Sequence, residues 1–112
     1  MLSGKSCEST RSRIALKSNT NMFLARCTNC IPNANFAESA FVETPDWRTT
    51  PRAQWTVEVL ANGKIALKSD SGRYLSRCNQ CAAGDPPNRA FVQATSSADA
   101  VAQWTVKCLG PP

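Results

Sequence analysis

The chain has no histidine. Without an imidazole there is no Ser-His-Asp triad, no Cys-His nucleophile pair, no HExxH zinc site and no side chain with an unperturbed pKa near neutrality. Any catalysis would rest on carboxylates, lysines or thiols alone. Long apolar runs are also missing: no stretch approaches the roughly 18 to 20 residues of a membrane span. The opening MLSGKSCESTRSR lacks the apolar core of a signal peptide, the expectation for a chain not secreted by the usual route or one that begins after its signal was removed. No run of like charges marks a nucleic-acid arm, and Lys5, Arg11 and Arg13 form the only loose basic cluster.

What is present describes one folded domain. A chain of 112 residues holds one core, and a hydrophobic fraction of 42% is too high for a disordered chain of this charge. The 13 Lys and Arg against 8 Asp and Glu leave a formal charge of +5, which assists association with an acidic partner without naming it. Because the cations are scattered, they read as solvated surface rather than as a nucleic-acid face.

An internal repeat dominates the sequence. IALKSNTNMFLARCTNC at 14–30 returns 51 residues later as IALKSDSGRYLSRCNQC at 65–81. Ala40-Phe41-Val42 matches Ala90-Phe91-Val92, and Ala53-Gln54-Trp55-Thr56-Val57 matches Ala102-Gln103-Trp104-Thr105-Val106. Small deletions fall between these blocks, which are therefore framework separated by loops. Apolar residues alternate with a period of two, as in Ile14 and Leu16 or Trp55, Val57 and Val59, the pattern of half-buried strands. Turn signals separate them: Ser18-Asn19-Thr20-Asn21, Ser69-Asp70-Ser71-Gly72, and Ala61-Asn62-Gly63-Lys64 between the copies. The expectation is an all-β fold with four short strands per copy, near IALKS, FLAR or YLSR, AFV, and QWTVE or QWTVK.

A unit of about 50 residues built this way resembles one unit of a β-trefoil. Leu67-Lys68-Ser69-Asp70-Ser71-Gly72-Arg73-Tyr74-Leu75 is similar to the repeat signature of the fascin-like, actin-cross-linking β-trefoil family. The first copy departs from it, with Asn21, Met22 and Phe23 in place of Gly72, Arg73 and Tyr74. The resemblance implies a β-trefoil-like fold with unit 1 at 14–64, unit 2 at 65–112, and residues 1–13 as a leader, a possible remnant of a third unit. Gln54 and Trp55 are adjacent, so the sugar-site residues of the Gln-x-Trp trefoil lectins do not carry over. A trefoil closes with three units. Two leave strand edges and apolar interior exposed, which predicts an incomplete barrel or a homo-oligomer.

Four of the six cysteines form two CxxC pairs, Cys27 with Cys30 and Cys78 with Cys81. Two readings stay open. Each pair can form a local disulfide across its turn, or the four thiolates can hold one structural zinc. The 47-residue interval between the pairs follows from the duplication and carries little information about metal spacing. A redox-catalytic CxxC is disfavoured, since it needs a helix N-terminus to stabilise its thiolate. Cys7 with Cys108 would close nearly the whole chain.

Functional residues are sought where the copies differ or project. Trp55 and Trp104 occupy equivalent strand positions and read as core. Trp47 has no counterpart in the second copy, and with Asp46 and Arg48 it can stack on a sugar ring or anchor its own loop. Asn29, Asn33, Asn35, Asn79, Gln80, Asp85, Asn88 and Arg89 bring amide and charged groups to loops, suited to hydroxyl-rich ligands or simply to turns. Glu38, Glu43 and Asp46 form only a weak glycosidase case. The expectation is a non-catalytic, cofactor-free carbohydrate-binding module. The alternatives are a fascin-like actin-binding protein and a structural assembly module. An extracellular setting suits disulfides, a cytoplasmic one the fascin-like reading.

Overall fold

The computed structural model describes residues 12–82, 84 and 88–107; Cys7, Cys108 and Asp85, and with them the expected tie between the chain ends, lie outside the described residues. Seven strands form: β1 (Arg13–Ile14), β2 (Phe23–Thr28), β3 (Glu38–Thr44), β4 (Trp55–Val59), β5 (Ile65–Lys68), β6 (Tyr74–Cys78) and β7 (Arg89–Ala94). They make one antiparallel sheet in the order β1-β4-β5-β6-β7-β3-β2, curled into a half-barrel. Single 3-10 turns at Pro51–Ala53 and Ala100–Ala102 precede the two Gln-Trp segments.

The turns follow from their residues. In Leu60–Lys64, Ser18–Met22 and Ser69–Arg73 the first residue donates its N–H to the carbonyl of the last, at 2.8 Å in each. In each, the fourth residue donates back to the first, and that residue has positive φ: Gly63 at 86°, Asn21 at 67° and Gly72 at 92°. This is a type I turn closed by a left-handed residue, which Gly and Asn tolerate best. Asn21 replaces Gly72 without changing the turn.

Two strand expectations need correction. The IALKS segment of unit 1 pairs as a strand only at Arg13–Ile14, with one further bridge from Lys17 to Phe23. The QWTVK segment of unit 2 is not a strand; only Trp104 pairs, through a bridge to Ile65. The bridge from Trp104 repeats the β1–β4 pairing, since Ile14 pairs with Trp55 as Ile65 pairs with Trp104. β5 meets β6 only at Lys68 and Tyr74, which leaves the Ile65 end open to Trp104.

Trp55, Val57, Ile65, Leu67, Leu75 and Val92 form the main core, with Ile14, Leu16, Leu24, Trp104 and Val106 packed against it. Equivalent residues are unequally covered: Val92 is fully buried while Val42 is 49% exposed. Ile65, Leu67 and Leu75 are buried, whereas Ile14, Leu16 and Leu24 are half-buried. Trp55 is buried as expected, but Trp104 is only half-buried. Strands β3 to β7 have neighbours on both sides, whereas β1 and β2, both of unit 1, end the sheet.

The Gln-Trp pairs have a divided task. Each indole N–H donates to the carbonyl of the second strand, Trp55 to Leu24 and Trp104 to Leu75, both at 3.0 Å. Each glutamine amide holds the preceding loop, Gln54 to the Trp47 carbonyl at 2.9 Å and Gln103 to that of Ser97 at 3.0 Å. These bonds satisfy polar groups that would otherwise be costly beside the core.

Candidate functional site

An open cleft of about 1290 Å³ lies beside the loop before β4. Arg13, Lys17, Phe23, Asp46, Trp47 and Arg48 are among the residues that line it. The loop is held from both sides. Asp46 Oδ1 accepts the Arg48 N–H at 2.9 Å and Oδ2 accepts the Thr49 hydroxyl at 3.0 Å. These bonds, with the Arg48 N–H foremost, hold the Asp46 carboxyl below its usual range. Gln54 links the loop to β1, taking a hydrogen bond from Arg13 Nη1 at 2.8 Å while its own amide holds Trp47.

Trp47 is half-buried, and the Arg48 guanidinium lies 4.8 Å from its ring centroid. That contact orients both side chains by cation–π attraction. The cleft thus brings together the rings of Trp47 and Phe23, the cations of Arg13, Lys17 and Arg48, and the Asp46 carboxylate. Asp46, Trp47 and Arg48 were expected from the sequence. Arg13, Lys17 and Phe23 were not, because strand position rather than loop composition brings them there.

The other expected residues lie apart from this cleft. Asn29 and Gln80 occupy the same place in the two CxxC turns, both exposed and both left-handed, with φ of 59° and 55°. Asn79 is exposed beside Gln80, and Asn33 is an exposed left-handed turn residue with φ of 61°. Asn35 is exposed and donates its N–H to the Cys81 carbonyl at 2.6 Å. Asn88 is exposed just before β7, and the Arg89 guanidinium lies 6.0 Å from the Phe41 ring centroid.

The four CxxC cysteines form two pairs at disulfide distance, Cys27 with Cys30 and Cys78 with Cys81, each with a Cα separation of 5.8 Å. Among the described residues no group of three or more Cys, Asp or Glu is placed to hold a metal ion. Each thiol faces its own turn partner, so the four cysteines stand as two local pairs. The pairs differ in cover. Cys78 and Cys81 are buried with Phe91 beneath Ile31 and Ala34 of unit 1, while Cys30 is exposed.

The carboxylates considered as a glycosidase pair are each engaged elsewhere. Glu38 accepts the Ser71 hydroxyl at 2.7 Å, Glu43 pairs with Arg52, and Asp46 holds its own loop. No described helix is long and apolar enough to cross a membrane. Comparison with protein-family models, curated proteins and solved structures finds no match to this chain.

Proposed function

We propose that the protein is a non-catalytic carbohydrate-binding module whose ligand enters the cleft beside Trp47. The observation that carries this reading is the meeting of the Trp47 ring, with Arg48 over it, and Arg13, Lys17 and Asp46 around one open cleft. A tryptophan presents an apolar face to the C–H groups of a sugar ring, while charged and amide groups around it take hydroxyls. Three cations against one carboxylate favour a glycan that itself carries carboxylate or sulfate groups.

The unit architecture is read as trefoil-type, on the resemblance of its repeat signature to the fascin-like family. The matching bridges Ile14 to Trp55 and Ile65 to Trp104 support that reading. A glycan array containing neutral and acidic saccharides tests the function, with Trp47→Ala as the control and actin co-sedimentation in parallel. Binding of acidic glycans that Trp47→Ala abolishes is the expected result. Silence on every glycan, with salt-sensitive pelleting on filaments, would replace this reading by the actin-binding one.

A further inference from the structure

The contact between the two units has two unlike sides. Unit 1 supplies Arg26, Glu38, Glu58 and the loop with Ile31 and Ala34. Unit 2 receives them with Asp70, Ser71, Tyr74 and the Cys78–Cys81 turn. By repetition each unit carries the framework of both sides, so one side of each is left over, but the polar partners differ there: Asn19, Thr20 and Phe23 stand for Asp70, Ser71 and Tyr74, and Arg77, Asn88 and Lys107 for Arg26, Glu38 and Glu58. On unit 1 the receiving side is under-covered: Val42 is 49% exposed, Leu24 and Phe41 are half-buried, and Cys30 is exposed. Their counterparts Val92, Leu75, Phe91 and Cys81 are all buried. On unit 2 the supplying side is under-covered, with Trp104 and Val106 half-buried where Trp55 and Val57 are buried.

We propose that a second copy of this chain covers these faces, the supplying side of its unit 2 docking on the receiving side of unit 1. The occupant is argued from the internal contact itself, which already shows that a unit of this sequence covers such a face. Among the described residues each half-barrel has one under-covered face of each kind, so two copies about a twofold axis satisfy both in a ring of four units, one more than a trefoil contains. Two coupled differences between the units fit this contact. Across the internal interface the Tyr74 hydroxyl donates to Glu58, at 3.1 and 3.0 Å to its two carboxylate oxygens. At the outer faces the counterpart of Tyr74 is Phe23 and that of Glu58 is Lys107. Removal of the hydroxyl is thus matched by removal of the carboxylate, and an ammonium over a phenyl ring is a favourable replacement. Asp46, Trp47 and Arg48 are not among the counterparts of the residues covered in unit 2, whereas Phe23 lines the cleft and also stands at the proposed contact.

Light scattering after size exclusion, with native mass spectrometry, tests this on the full chain of 12.1 kDa. The expected result is a dimer that dissociates on dilution. Val42→Lys, at a site exposed in the single chain, is expected to yield a monomer with an unchanged circular dichroism spectrum. The double variant Phe23→Tyr with Lys107→Glu restores the internal pair at the new contact and is expected to tighten the dimer by about tenfold. A monomer at every concentration overturns the proposal, as does an assembly that neither Val42→Lys nor the double variant alters.

Discussion

The Arg26 guanidinium on β2 holds the Asp70 carboxylate in the β5–β6 turn through two hydrogen bonds, Nε to Oδ1 at 2.7 Å and Nη2 to Oδ2 at 3.1 Å. Residues 44 positions apart are joined by a bidentate bond across the boundary between the two repeats. Glu38 reinforces it from β3, 4.0 Å from Arg26 Nη1 and bonded to the Ser71 hydroxyl. The units are therefore fastened by charge at this turn as well as by strand pairing between β4 and β5.

Removing either end of this pair loosens the unit boundary. Arg26→Ala, Asp70→Ala and the double variant, compared by urea unfolding, should give a coupling energy of about 1 kcal/mol, the upper end for a partly exposed pair with bidentate geometry.

The same pair sets a pH dependence. The Arg26 hydrogen bond lowers the Asp70 carboxyl below its usual range, so the folded chain binds that proton less readily than the unfolded chain. The stabilisation is full above the ordinary carboxylate pKa and is lost as pH falls through the lowered folded value. Unfolding midpoints from pH 7 to pH 2 should fall less steeply at the acidic end in Asp70→Asn than in the parent. An identical slope in both would disprove the assignment.

The two tryptophans should differ in their contribution despite their equivalent positions. Trp55 is fully buried and Trp104 half-buried, though both donate the same indole bond. Trp55→Ala should cost about 3–5 kcal/mol and Trp104→Ala roughly half as much in the monomeric chain, measured by denaturant unfolding.

The two cysteine pairs should open in a fixed order. Cys30 is exposed, while Cys78 and Cys81 lie under Ile31 and Ala34. Under limiting reductant with mass-tagged alkylation, Cys27 and Cys30 should be labelled first, because exchange requires access to sulfur. Preferential labelling of Cys78 and Cys81 would be the contrary result.

Backbone conformation alone sets the cost of replacing Gly72. Nothing lies within 4 Å of a Cβ built on Gly72, yet its φ is 92°. Gly72→Ala should therefore destabilise by about 1 kcal/mol from backbone strain alone, and Asn21→Gly should be close to neutral. Thermal unfolding of the two variants checks the contrast.

Much of the architecture was legible because it depends on short-range rules. Alternating apolar residues, Asn62-Gly63 and the repeated IALKS and QWTV blocks specify strands, turns and two equivalent units before any tertiary contact is known. The CxxC spacing likewise brings each cysteine to its partner within one turn. Of the cleft, only Asp46, Trp47 and Arg48 were visible, as a loop without a counterpart; Arg13, Lys17 and Phe23 look like ordinary strand or edge residues.

Tertiary structure decided what the repeat could not. Two nearly identical units acquire different burial because unit 1 supplies both end strands of the sheet, β1 and β2, while all three strands of unit 2 lie within it. Val42 and Val92 are the same residue in the same block, but Val42 pairs with Leu24 of the end strand β2 and Val92 with Leu75 of the interior strand β6. Sequence determines which side chains line a unit. Whether those side chains meet solvent or another unit depends on how many units stand beside them, which no local pattern encodes.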